Sequence, residues 1–112
     1  RYGNVSNMEG KSMDDIIMEL DNGNPVVVYV TLYWESAFYK DYKIEGKTET
    51  WLRNNHAVLL TGYNKTTKEF YVSDPYNRKK GSSKTYPNYK YMKSRSIVEP
   101  LYNIRKFAVV VR

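Results

Sequence analysis

The sequence is 112 residues long, 41% hydrophobic and free of cysteine. That is the size of one domain with enough apolar material for a modest core, and it excludes wholesale disorder, a disulfide framework, a thiolate metal site and a cysteine nucleophile supplied by these residues. The net charge of +6 is uneven, because residues 1–77 hold eight Lys/Arg against eleven Asp/Glu (net −3) and residues 78–112 hold ten against one (net +9).

Arg1 is not an initiator methionine and no charged-then-apolar leader follows it, so the chain is expected to begin mid-stream, as a cleavage product or an excised piece. Residues 1–11 are polar and read as irregular. Ser12 then reads as an N-cap, with Asp14 and Asp15 in a first turn whose dipole favours negative charge. Met13, Ile16, Ile17 and Leu20 form a one-sided apolar stripe at helical spacing, and Gly23 supplies the left-handed residue that ends the helix.

Val26–Trp34 is rich in β-branched and aromatic residues without polar alternation, which predicts a strand buried on both faces. Residues 35–53 are mixed and contain Gly46, and read as a long loop. His56–Tyr63 and Glu69–Ser73 form a β-hairpin across the polar turn Asn64–Lys68, closed by Asp74-Pro75. Residues 76–95 read as loop. Ser96–Asn103 allows a short helix that Pro100 should confine to about one turn, and Lys106–Val111 is a final strand. The pattern is α+β, one short helix packed on a mainly antiparallel sheet, and residues 1–112 are expected to be a single domain or the C-terminal fragment of a larger one.

The one histidine, His56, opens a strand. With the hairpin turning about Thr66, pairing partners sum to about 132, so Val58 lies opposite Asp74 and His56 becomes its diagonal neighbour on the same face, roughly 7–8 Å away at Cα. A hydrogen bond between them would fix the tautomer and orient the ring, as a general base requires. A lone histidine can also be purely structural, and an aspartate before proline also initiates turns. Trp51, five residues before His56, suits either a substrate cleft or the core.

Arg78, Lys79, Lys80, Lys84, Lys90, Lys93 and Arg95 interleave with Tyr76, Tyr86, Tyr89 and Tyr91. Single-stranded nucleic acid is bound by such mixtures, but a lysine-rich loop is also ordinary solvated surface. The second reading is preferred: no specific nucleic-acid partner is expected, only weak attraction to an anionic cell-wall polymer or a membrane surface. A glycine-rich phosphate loop is lacking, and one histidine with scattered carboxylates makes no metal site, so neither cofactor nor metal is expected.

Three blocks, in order, carry a resemblance: Gly10 to Val28 (GKSMDDIIMELDNGNPVVV), His56 to Asn64 (HAVLLTGYN) and Phe70 to Tyr76 (FYVSDPY). Together they resemble the C-terminal half of a papain-like cysteine peptidase, and more narrowly cysteine-peptidase family thirty-nine, the bacteriocin-processing peptidases that cut after a double-glycine leader. The resemblance implies a papain-like fold, a catalytic histidine at His56 and a third triad member at Asp74. It also implies a nucleophilic cysteine preceded by an oxyanion-hole glutamine, both upstream of the helix, and this chain has neither. Ser36 lies in the expected loop and Ser73 should face away from Asp74, so no serine takes the role. The expectations are therefore a peptide substrate and a thiol from an N-terminal half of the same protein, with the sheet covered by that half or by a swapped homodimer; richness in Lys, Tyr and Asn without cysteine fits a secreted or cell-surface bacterial location. The competing class is a non-catalytic module that holds a peptide or anionic polymer on its tyrosine-rich basic surface.

Overall fold

The computed structural model describes residues 4–74 and 89–112. Along the chain these form β1 (Val5–Asn7), α1 (Met13–Asp21), β2 (Val26–Thr31), a 3-10 turn (Leu32–Trp34), β3 (Tyr39–Ile44), β4 (Lys47–Leu52), β5 (Asn55–Asn64), β6 (Glu69–Asp74), β7 (Tyr89–Ser94), α2 (Arg95–Tyr102) and β8 (Ala108–Val111). Six strands make one antiparallel sheet in the order β1-β8-β2-β5-β6-β7, and β3 and β4 pair separately. The α+β expectation holds.

α1 forms as its sequence dictates. The Ser12 hydroxyl accepts from the Asp15 amide and the Asp15 carboxylate accepts from the Ser12 amide, both at 3.2 Å, a reciprocal capping box. At the other end Gly23 takes φ +82°, and the amides of Gly23 and Asn24 donate to the carbonyls of Leu20 and Glu19. Met13, Ile16, Ile17 and Leu20 are buried together with Val98 and Tyr102 of α2, so both helices pack into one core with the sheet.

On the sheet, register decides which residues join that core. Val26 pairs with both Leu60 and Val110, and Leu60 pairs with Val72, so all four share a face, and all are at most 2% exposed. Val28 and Val30 follow Val26 on this face, whereas Tyr29 on the other is 37% exposed. The expected strand buried on both faces is therefore buried on one. It also stops at Thr31, because Tyr33 and Trp34 adopt left-handed φ values of 57° and 58° that no strand contains.

Four further expectations change. Residues 35–53 are not a loop but mainly the β3–β4 hairpin, whose Glu45-Gly46 turn has φ 51° and 79°, the double positive φ of a type I′ connection. It bears no apolar stripe because it is almost wholly exposed. Cross-strand pairs hold it instead: Thr50 donates to Asp41 at 2.6 Å, and the rings of Tyr42 and Trp51 lie 5.3 Å apart. Residues 89–94, read as loop, are the edge strand β7, paired to β6 from Glu69↔Ser94 to Asp74↔Tyr89. Val5–Asn7, read as irregular, pairs with β8 at the opposite edge.

Finally, α2 runs through Pro100 to Tyr102. A proline inside a helix costs about 3 kcal/mol or more. Full burial of Val98 and Tyr102, each worth roughly 1.5–3 kcal/mol, offsets it. The Tyr102 hydroxyl adds a hydrogen bond to the Lys11 carbonyl at 2.7 Å. The basic residues Arg78, Lys79, Lys80 and Lys84, with Tyr76 and Tyr86, lie outside the described residues.

Candidate active site

The site is assembled at the end of the core face where β5, β6 and β7 run side by side. Leu59 pairs with Ser73 and Leu60 with Val72, so partners sum to 132 at this end of the hairpin and Val58 falls opposite Asp74. Beyond a bulge between Leu60 and Gly62 the sum is 133, as in Gly62↔Tyr71 and Asn64↔Glu69. The register expected from the sequence is thus present at the site, reached through a β-bulge that places one extra residue on β5. Without that residue His56 would project from the opposite face.

His56 and Asp74 meet. Nε2 of the imidazole is 2.6 Å from Oδ1 of Asp74, with the two side chains 13% and 11% exposed. On the other side of β6, Tyr91 pairs with Val72, which makes Tyr91 a diagonal neighbour of Asp74 as well. Its hydroxyl donates to Oδ2 at 2.6 Å, so the carboxylate is held through both oxygens. Tyr91 in turn accepts from the indole Nε1–H of Trp34 at 2.9 Å. The ammonium of Lys93 lies 5.9 Å from the Trp34 ring centroid and 5.7 Å from that of Tyr91.

Burying a carboxylate is costly unless donors compensate its lost hydration, and here a phenol and an imidazole do so. An ionised carboxylate only accepts, so Nε2 carries the proton shared with Asp74. In the neutral ring Nδ1 is then the basic nitrogen. The arrangement can accept a proton at Nδ1 and stabilise the resulting imidazolium by the adjacent negative charge.

Trp34 reaches this cluster through an unusual backbone. Two consecutive non-glycine residues, Tyr33 and Trp34, lie in the left-handed region, at a cost on the order of 1–2 kcal/mol each. The buried Thr31 hydroxyl donates to the Glu35 carbonyl across the turn, and the Leu32 amide donates to the Asn54 carbonyl at 2.9 Å, which anchor it.

Trp51 is 52% exposed on β4, with Tyr42 as its ring neighbour, so of the two roles open to it the core role is excluded. Sequence reasoning missed Tyr91 and Trp34 as parts of the site. Trp34 was hidden in an apolar run read as strand, and Tyr91 in a basic stretch read as solvated loop. The period-two spacing Tyr89, Tyr91, Lys93 was the available sign of a strand. Among the described residues no group of three or more His, Asp or Glu is placed to hold a metal ion.

Comparison with known proteins adds three findings. The sequence matches the family described as Peptidase_C39 like family over residues 1–104. It is 32% identical over 98 residues, 84% of this chain, to the uncharacterized protein YvpB of Bacillus subtilis (strain 168), of which the match covers 38%. The fold is similar to a crystal structure described as that of a C39-like peptidase from Bacillus anthracis, with a TM-score of 0.68 and 19% identity over 96% of this chain and 50% of that one. The chain therefore spans half or less of the length of each.

Proposed function

Because this chain belongs to the Peptidase_C39 like family, we propose that it contributes the general base and its orienting carboxylate to a thiol-dependent peptide or amide hydrolase. The carrying observation is the 2.6 Å contact of His56 Nε2 with Asp74 Oδ1 on a partly buried face. The cysteine comes from outside these 112 residues, which contain none, either from another segment of the same protein or from a second chain.

In this reading Nδ1 of His56 takes the thiol proton, giving a thiolate and an imidazolium that Asp74 stabilises. The thiolate attacks the scissile carbonyl carbon. The tetrahedral intermediate collapses to a thioester as the imidazolium returns its proton to the departing amine. Water, deprotonated by the same imidazole, then hydrolyses the thioester and releases the acid. Trp51, exposed on the β3–β4 hairpin, offers an aromatic surface to the peptide. A site at or beyond the bacterial cell surface fits a chain rich in Lys and Tyr and free of cysteine.

The test is alkylation of the complete natural gene product by iodoacetamide. One cysteine should react at a rate that falls at least tenfold in His56→Ala, as loss of a thiolate-forming base requires. Alkylation that ignores His56, or a natural assembly with no cysteine at all, overturns the hydrolase reading. Salt-dependent retention on a polyanion would then favour the binding module.

A further inference from the structure

We propose that Tyr91 is a positioning residue for the His56–Asp74 pair and that Trp34 locks it in place. The inference deepens the hydrolase reading and rests on it for its catalytic meaning, but its geometry is independent of any thiol.

Asp74 is the last residue of β6, and its carboxylate lies between the diagonal neighbours His56 on β5 and Tyr91 on β7. A carboxylate at such a point can rotate about its Cβ–Cγ bond and swing away from the imidazole. The Tyr91 hydroxyl, 2.6 Å from Oδ2, pins that rotation and leaves Oδ1 directed at His56. A hydroxyl can itself rotate, to donate or accept elsewhere. The indole Nε1–H of Trp34, which can only donate, occupies the acceptor side of that oxygen at 2.9 Å, so the hydroxyl proton is directed to Asp74. Four side chains from the 3-10 turn, β5, β6 and β7 thus form a single directed chain, Trp34 to Tyr91 to Asp74 from one side and His56 to Asp74 from the other.

The backbone at Trp34 supports this assignment. Left-handed conformations at two successive bulky residues persist only where surrounding contacts impose them, and they concentrate at functional sites. Here the conformation delivers the indole to Tyr91. An aromatic residue needed only for packing would not require its N–H to end on a phenol that faces a triad carboxylate.

Two variants test the proposal in the natural protein: Tyr91→Phe, which removes the hydroxyl and keeps the ring, and Trp34→Phe, which removes the N–H donor. The first readout is the imidazole spectrum, with the His56 signals assigned by their loss in His56→Gln. In the parent protein the Nε2 proton should be observable downfield and slow to exchange. In Tyr91→Phe its exchange should accelerate on the order of tenfold, the size expected for losing a hydrogen bond to a charged group, and in Trp34→Phe by a smaller factor. The second readout is cysteine alkylation, which should fall in the same order. An unchanged Nε2 proton in both folded variants overturns the proposal, whatever happens to melting temperature. Should Tyr91→Phe fail to fold, the Trp34→Phe spectrum decides alone. Alkylation that depends on His56 but ignores Tyr91 also overturns it while leaving the hydrolase reading intact. Alkylation indifferent to His56 sinks the hydrolase reading instead, and the spectrum still settles whether Tyr91 positions the ring.

Discussion

His56 on β5 and Asp74 on β6 touch at 2.6 Å although they are diagonal rather than directly opposite across the ladder. Direct partners on one face would present side chains in parallel. The diagonal offset lets the longer imidazole reach along the strand to the shorter carboxylate.

That relationship predicts the behaviour of Asp74→Asn. The amide keeps the shape but offers one acceptor oxygen in place of the two that His56 and Tyr91 now use. If the oxygen stays with Tyr91, the amide N–H faces Nε2 and the ring must move its proton to Nδ1. Nitrogen shifts of the imidazole should report this exchange of tautomers. Stability should change by only about 1 kcal/mol, because most hydrogen bonds are rearranged rather than lost.

Gly62 predicts a second outcome. It sits at the bulge that sets the register, and a Cβ built there would lie 3.1 Å from Cδ2 of the Tyr71 ring. The ring is 44% exposed and can yield by a few tenths of an ångström. Gly62→Ala should therefore cost about 1 kcal/mol in a denaturant titration, at the low end of overpacking effects. Gly62→Val should cost more and displace Tyr71, visible as a changed ring-current shift on neighbouring protons.

Tyr102 gives a pH dependence with a defined sign. Its burial, reinforced by the nearby Asp15 carboxylate, raises the phenol above its ordinary value. The folded state thus keeps the proton when the unfolded chain has begun to lose it. The stabilisation is complete below about pH 10, the unfolded value, and is lost as pH rises through the higher folded value. Melts from pH 9 upward should show a steeper decline in the parent than in Tyr102→Phe. At neutral pH the same variant should lose about 1 kcal/mol with the hydrogen bond to Lys11.

Much of this was legible beforehand. α1 could be read from Ser12, the apolar stripe and Gly23 because caps and helical spacing are local chemistry. The β5–β6 hairpin could be read because apolar strands flank a polar turn. What escaped were elements whose stability is not written as an apolar pattern. The β3–β4 hairpin relies on cross-strand pairs such as Asp41–Thr50 and Tyr42–Trp51, and β7 relies on a neighbour strand already in place.

That His56 and Asp74 could meet follows from the order of residues alone, since hairpin pairing is a short-range matter of turn position and strand parity. So does the lack of any thiol in these 112 residues. That Tyr91 and Trp34 join them depends on the folded arrangement of the strands. Trp34 and Tyr91 are 57 residues apart, and their hydrogen bond exists because β7 closes the sheet edge beside β6 while the left-handed turn after β2 carries the indole to it. Contacts of that range are fixed by how strands are ordered in the sheet, which no local pattern encodes.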